Sequence, residues 1–83
     1  PNPFNPETTI NFSTKEDGNV RIDIYNIKGQ KVKTLVNEHM KADNHKVVWT
    51  GEDSNGRQVS SGVYFYKMKA GKYTSTKKMI LMK

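Results

Sequence analysis

Apolar and polar residues alternate with a period of two along most of the chain. Residues 8–13 place Ile10 and Phe12 on one face, and residues 19–25 place Val20, Ile22 and Ile24 on one face. Such alternation is typical of half-buried β-strands. The same reasoning predicts further strands at 31–36, 45–50, 58–59, 62–68 and 73–83. Turn residues at 16–19, 26–30 and 70–71 separate strands, and we interpret them as successive hairpins.

These short strands predict an all-β fold. We expect a seven-stranded antiparallel β-sandwich of the immunoglobulin or fibronectin type III kind. Trp49 should lie at its centre, and Tyr64 and Tyr66 should belong to the core. Tyr64 stands where such sandwiches often carry a tyrosine whose hydroxyl bonds a nearby backbone group.

Length and composition indicate one small module. The 83 residues suit a single domain, and the absence of cysteine means that packing alone must stabilise it. No apolar run approaches the roughly 20 residues of a membrane span. The chain begins at Pro1 without an initiator methionine or a signal peptide, so we interpret residues 1–83 as one domain of a longer protein.

Three prolines define the first segment, residues 1–7. Pro1, Pro3 and Pro6 lack backbone donors, so the segment should run extended along a sheet edge, with Phe4 as an anchor. The functional alternative is a proline-rich ligand that docks into an aromatic groove.

Positive charge is concentrated in the last third of the chain. Residues 1–55 hold seven Lys or Arg and all eight Asp or Glu, whereas residues 56–83 hold seven Lys or Arg and no acid. Such a patch fits an anionic surface, a lipid headgroup, a polysaccharide or a nucleic acid. The alternative is a solvated sheet edge whose lysines prevent pairing. Nucleic acid is disfavoured because the aromatic residues are expected in the core.

No set of side chains predicts catalysis, so we expect neither an enzyme nor a cofactor. His39 and His45 lack the spacing of a metal pair. The loop with Glu52, Asp53 and Asn55 resembles part of a calcium loop, but residues 51 and 62 are glycines where the EF-hand needs acids. A weak metal site there competes with an Asx turn that has Gly56 at positive φ.

Four motifs, in register, resemble the C-terminal sorting domain of type IX secretion cargo. They are residues 1–10, residues 20–26 with 29–32, residues 61–68, and residues 76–83. The central residues 48–59 also resemble the immunoglobulin-like domain of the flagellar hook-capping protein, which is a competing assignment.

The resemblance implies a non-catalytic address on a secreted protein of a Bacteroidota-type bacterium. The cargo would cross the periplasm, be recognised by the outer-membrane translocon and reach the cell surface or the medium. A sortase-like protease would remove the domain, with release of the cargo or its attachment to anionic lipopolysaccharide. The resemblance assigns partner recognition to Lys77, Lys78, Met79, Leu81 and Lys83, and a framework role to Gly62, Tyr64 and Tyr66. Trp49, expected at the centre of the sandwich, is a fourth framework residue.

Two alternatives remain open at this point. The domain could be a structural or carbohydrate-binding accessory module, or a hook-cap-like domain, of an extracellular protein. An edge rich in Thr and Lys also permits an edge-strand dimer.

Overall fold

The computed structural model describes residues 7–82, which form six β-strands and no helix. The strands are β1 (Thr8–Ser13), β2 (Gly18–Asn26), β3 (Lys31–Met40), β4 (Asn44–Trp49), β5 (Gly62–Ala70) and β6 (Tyr73–Leu81). The all-β prediction is confirmed. The proline-rich leader predicted at residues 1–7, with its Phe4 anchor, falls almost entirely outside the described residues, as does Lys83.

Two antiparallel sheets enclose one core. The larger sheet has the order β3-β2-β5-β6, and the smaller sheet pairs β1 with β4. The buried core residues come from both sheets: Ile10, Val20, Ile22, Ile24, Val36, Trp49, Tyr64, Met68, Met79 and Leu81. Trp49 is fully buried, as the sequence predicted.

The prediction of seven strands is wrong at residues 58–59. This part of the described chain forms only an isolated antiparallel bridge between Glu52 and Gln58. Val59 donates its N–H to the Gly51 carbonyl at 2.9 Å. The backbone bonds of the segment are therefore made within one loop, and no ladder with another strand develops.

The hairpin predicted between the first two strands is also absent. β1 pairs instead with β4, from Thr8 opposite Trp49 to Ser13 opposite Asn44. The loop after β1 is bonded to the residues before β4, because Thr14 N–H donates to the Asp43 carbonyl at 3.0 Å. As a result, β1 lies in the smaller sheet with β4, and the chain continues from there into the larger sheet at β2. The predicted hairpin of β2 with β3 is formed, and β3 continues to Met40, opposite Gly18.

The predicted hairpin of β5 with β6 is present and regular. Its ladder runs from Ala70 opposite Tyr73 to Gly62 opposite Leu81 without a register shift. Gly71 and Lys72 form the turn, and Gly71 has φ of 60°. A two-residue hairpin with glycine at positive φ in the first position suits a type II′ turn, which matches the twist of the strands.

Candidate functional site: the β5–β6 hairpin

β6 is an edge strand with an open side. β5 pairs with it on one side, and the described chain places no strand on the other. In a two-residue hairpin the pair that closes the turn is hydrogen-bonded, and bonded and non-bonded pairs then alternate. The odd-numbered residues of β6 therefore bond to β5. The even-numbered residues Thr74, Thr76, Lys78 and Ile80 direct their N–H and C=O groups to the open side.

One side-chain contact agrees with this alternation and limits the open edge. The Thr8 hydroxyl donates to the Ile80 carbonyl at 3.5 Å, which requires that this carbonyl points away from β5. The start of β1 thus lies beside the end of β6. The accessible backbone edge is the part of β6 nearer the turn, from Thr74 to Lys78.

The predicted recognition residues of β6 lie on opposite faces of the sheet. Met79 and Leu81 are only 8% and 1% exposed and form part of the core. Lys78 is exposed on the outer face, and Lys77 lines a groove between the two sheets. Of the four predicted residues that lie within residues 7–82, only Lys77 and Lys78 have exposed side chains. The assignment of recognition to these five residues stays a prediction.

The groove beside Lys77 has a volume of about 420 Å³. The Phe12 and His45 rings stack in its wall, with centroids 5.2 Å apart, and His45 Nε2 lies 2.8 Å from the Lys41 carbonyl. Tyr66 and Tyr73 come from the larger sheet. The groove therefore combines aromatic surfaces with one cationic side chain.

The predicted framework residues hold β5 against the core. Trp49 Nε1 donates to the Glu52 carbonyl at 2.9 Å, and its ring meets Tyr64 edge-on at 5.0 Å. The Tyr64 hydroxyl donates to the Ser60 carbonyl at 2.6 Å, as predicted. Gly62 opens β5, and Tyr66 is half-buried against the core.

The exposed charge of the hairpin is entirely positive. β5 and β6 carry Lys67, Lys69, Lys77 and Lys78 and no Asp or Glu. The nearest acid in the ladder is Asp23, opposite Lys67. Its carboxylate already accepts bonds from Arg21 Nε at 3.0 Å and the Thr34 hydroxyl at 2.7 Å. The hairpin is therefore electrostatically suited to an anionic partner.

The loop that resembled a calcium site forms an Asx turn. Asp53 Oδ1 accepts the backbone N–H of Asn55 at 2.9 Å and that of Arg57 at 3.0 Å, and Gly56 has φ of 77°. Within residues 7–82 no three His, Asp or Glu side chains group in a way that could hold a metal. None of these residues forms a helix able to span a membrane.

Sequence reasoning missed the exposure of Ile80 and Met82, which are 58% and 75% exposed. Residues 79–82 are all apolar, so alternation alone does not show which of them face the core. The position of the turn, at Gly71 and Lys72 and not at the predicted Ala70 and Gly71, is the missing signal. Once the turn of the two-residue hairpin is located, each residue of β6 has a known partner in β5, and the face of the sheet on which its side chain lies is determined.

The chain, including this hairpin, is similar to a known protein family and to solved structures. The model of the secretion system C-terminal sorting domain matches residues 1–82. A search of curated proteins finds no match. FlgD from P. aeruginosa is similar in structure, with a TM-score of 0.71 and 21% identity over 90% of this chain. Dimeric latent PorU from Porphyromonas gingivalis has a TM-score of 0.70 and 22% identity over 96% of this chain.

The structural matches cover only part of the known proteins, 58% of the FlgD chain and 8% of the PorU chain. At these identities they show a shared fold. The family match is broader, because it extends over nearly the whole sequence and includes the four motifs that carried the resemblance, apart from Lys83. The chain therefore belongs to the family of secretion system C-terminal sorting domains, the domains of type IX secretion cargo.

Proposed function

We propose that this domain is the non-catalytic address by which the type IX machinery recognises the protein that carries it. The family match over residues 1–82 carries the proposal. In our proposal the cargo crosses the periplasm and is delivered to the cell surface or the medium. Cleavage by a sortase-like protease and attachment to anionic lipopolysaccharide are further steps that membership of the family supports.

The open edge of β6 supports a physical mechanism. A strand of the receptor would pair with the outward N–H and C=O groups of Thr74, Thr76 and Lys78 and so extend the larger sheet. Main-chain bonds of this kind provide affinity in β-strand addition. The lysines of the hairpin would steer the domain towards an acidic receptor and increase the rate of association.

The proposal is tested with a periplasmic reporter fused to residues 1–83. We expect delivery to the surface or medium in cells with the type IX machinery, and retention in an otherwise identical strain without the translocon. Delivery in both strains would refute the sorting function. Deletion of residues 79–83 is a poor test, because it removes Met79 and Leu81 from the core.

A substitution at Thr76 separates edge pairing from folding. Thr76→Pro removes one outward N–H, and proline is tolerated where that group faces solvent at a sheet edge. We expect the variant to fold but to be delivered less efficiently, whereas Thr76→Ala keeps the N–H and serves as the matched control. Delivery of Thr76→Pro at the level of Thr76→Ala would refute strand addition at this edge.

The groove between the sheets supports a second candidate, a carbohydrate-binding accessory function. Aromatic side chains beside hydrogen-bonding groups are common in ligand sites, and here Tyr73 and Lys77 line the groove with Asn11 and Asn44. Calorimetric titration of the domain with neutral and uronate-containing oligosaccharides tests this. Saturable binding that Tyr73→Ala abolishes would support it, and no heat of binding would refute it. Sedimentation of the same samples tests the edge-strand dimer.

A further inference from the structure

The outer face of the larger sheet carries an apolar surface that, in the described chain, lies outside the hydrophobic core. We call it the outer strip, and it consists of Tyr25, Ile27, Val63, Phe65, Ile80 and Met82. Ile27, Ile80 and Met82 are 74%, 58% and 75% exposed. Tyr25, Val63 and Phe65 are half-buried, yet none is among the residues packed against the core.

The strand register makes the strip continuous. Val63 lies opposite Ile80, and Phe65 lies opposite Tyr25 on its other side. Because residues of one parity share a face, these four side chains project to the same side of the sheet. Ile27, in the turn after β2, lines the same shallow recess as Val63. The strip thus crosses the sheet from the β2–β3 turn to the end of β6, next to Lys78 and the open part of the edge.

The strip contributes little to the core. β1 and β4 cover the other face of the larger sheet, where all the buried hydrophobic residues of residues 7–82 are gathered. A contiguous apolar surface rimmed by polar residues marks an interaction site in a soluble domain. Side chains that are left exposed in this way are available to a partner without any rearrangement of the fold.

Lysines border the strip and indicate the charge of its partner. Lys78 lies opposite Phe65, Lys31 lies opposite Tyr25, and Lys28 follows Ile27. The one acid on this face of β2, Asp23, already accepts hydrogen bonds from Arg21 and Thr34. A partner with carboxylates around its own apolar patch would complement this rim. A second copy, with a net charge of +6, would bring lysine against lysine.

Continuity with the open edge distinguishes a protein partner from a lipid surface. Lys78 contributes its side chain to the rim of the strip and its N–H and C=O groups to the edge of β6. A partner that adds a strand there would place its own side chains beside the strip in the same sheet. A lipid headgroup layer could contact the strip but could not extend the ladder.

We infer that the outer strip docks an apolar protein surface rimmed by Asp and Glu carboxylates. The inference rests on the proposed function, since it places this partner within the secretion machinery. It assigns recognition to side chains of β2, β5 and β6 together. Ile80 is the residue best suited to test it, because its side chain is exposed, lies opposite Val63, and is two residues along β6 from Lys78, where the open edge ends.

The experiment compares three variants of the reporter fusion. Ile80→Glu removes apolar contact and adds a charge that an acidic rim repels, whereas Ile80→Lys removes the contact but adds a charge that an acidic rim attracts. His39→Glu is the control: it introduces the same acid at an exposed position on the same face, at the far end of β3, outside both the strip and the open edge of β6. We expect delivery to fall about tenfold for Ile80→Glu, as for loss of an interface hot spot. Delivery should fall by less for Ile80→Lys, and His39→Glu should stay within about twofold of the unaltered domain. Urea unfolding of each isolated variant confirms that it is folded.

The remaining outcomes distinguish failure of the sorting function from failure of the docking role of the strip. Failure of the unaltered domain to deliver the reporter refutes the proposed function itself. Normal delivery with Ile80→Glu, or an equal loss with His39→Glu, overturns the docking role of the strip while the sorting function stands. A dimer of the domain that Ile80→Glu dissociates in sedimentation would make the occupant a second copy. Flotation of the domain with phosphatidylglycerol vesicles, lost in Ile80→Glu, would make it a lipid surface, and either result overturns the inference.

Discussion

Truncation to alanine should destabilise the domain strongly at Leu81 and hardly at all at its neighbour Ile80, although both lie at the end of β6. Leu81 is 1% exposed, and its methyl carbon Cδ2 lies 3.1 Å from the position that a Cβ on Gly51 would take. Ile80 is 58% exposed on the opposite face of the strand. Leu81→Ala removes packed methyl groups from the core, whereas Ile80→Ala removes them from solvent-exposed surface. The pair therefore tests the parity of the whole strand.

The size of the difference follows from burial. A buried Leu→Ala change costs about 2–5 kcal/mol, because transfer energy is lost and a cavity is left. A domain of this length has a total free energy of unfolding of about 4–12 kcal/mol. A loss of about 3 kcal/mol would lower Tm by roughly 12–24 °C. Ile80→Ala, at a surface position, should stay within about 0.5 kcal/mol of the unaltered domain.

Urea unfolding followed by tryptophan fluorescence measures both variants. Trp49 is the single tryptophan, is fully buried, and lies 5.0 Å from the Tyr64 ring, so its emission reports on the core. We expect a lower urea midpoint for Leu81→Ala with an unchanged slope, and no shift for Ile80→Ala. Equal midpoints for the two variants would refute the assigned parity of β6, and with it the argument that the even-numbered residues face a partner.

Three further substitutions test local contacts by the same unfolding assay. Tyr64→Phe should cost about 1 kcal/mol, since it removes the hydroxyl bond to the Ser60 carbonyl, and an unchanged midpoint would mean that water replaces the bond without loss. Gly51→Ala should cost about 1–3 kcal/mol because φ is 74° and the new methyl group would meet Leu81; a neutral result would contradict the tight packing. Asp53→Ala should cost about 1 kcal/mol and Asp53→Asn much less, because only Asn keeps an acceptor for the N–H groups of Asn55 and Arg57.

Much of the strand assignment followed from alternation alone. Residues 8–13 were predicted and observed with the same bounds, and β2 differs from its prediction by one residue at each end. Trp49 and Tyr64 were placed correctly because a large aromatic residue in a short alternating strand has few other places to be buried. Local pattern is sufficient where one face of a strand is apolar and the other is polar.

Pairing between distant strands could not be obtained in the same way. β1 pairs with β4 across a stretch that includes both β2 and β3, and nothing within residues 8–13 specifies that partner. The bonds that fix it, such as Thr14 to Asp43, join two loops. At residues 58–59 the prediction of the strand itself was wrong, since two residues of suitable type are too few to determine whether a ladder forms.

The candidate site was predicted as a segment but not as a surface. Family resemblance pointed to residues 77–83, and the positive charge pointed to the same strand. Neither distinguishes Lys78 and Ile80 from Met79 and Leu81, because consecutive residues of a strand alternate between its two faces and a sequence motif includes residues of both. The faces separate only after the register with β5 is known.

In our proposal β6 serves both folding and recognition, because its side chains alternate between the core and the outer face. Its inward residues Met79 and Leu81 complete the core, while its outward residues Lys78 and Ile80 border the open edge and the outer strip. Loss of the inward residues would unfold the sheet, and an unfolded chain presents neither an ordered edge nor a strip. A receptor that binds the edge and the strip would consequently bind the folded domain and not the unfolded chain of the same sequence. This explains why deletions at the end of such a chain cannot by themselves identify the residues that a partner contacts.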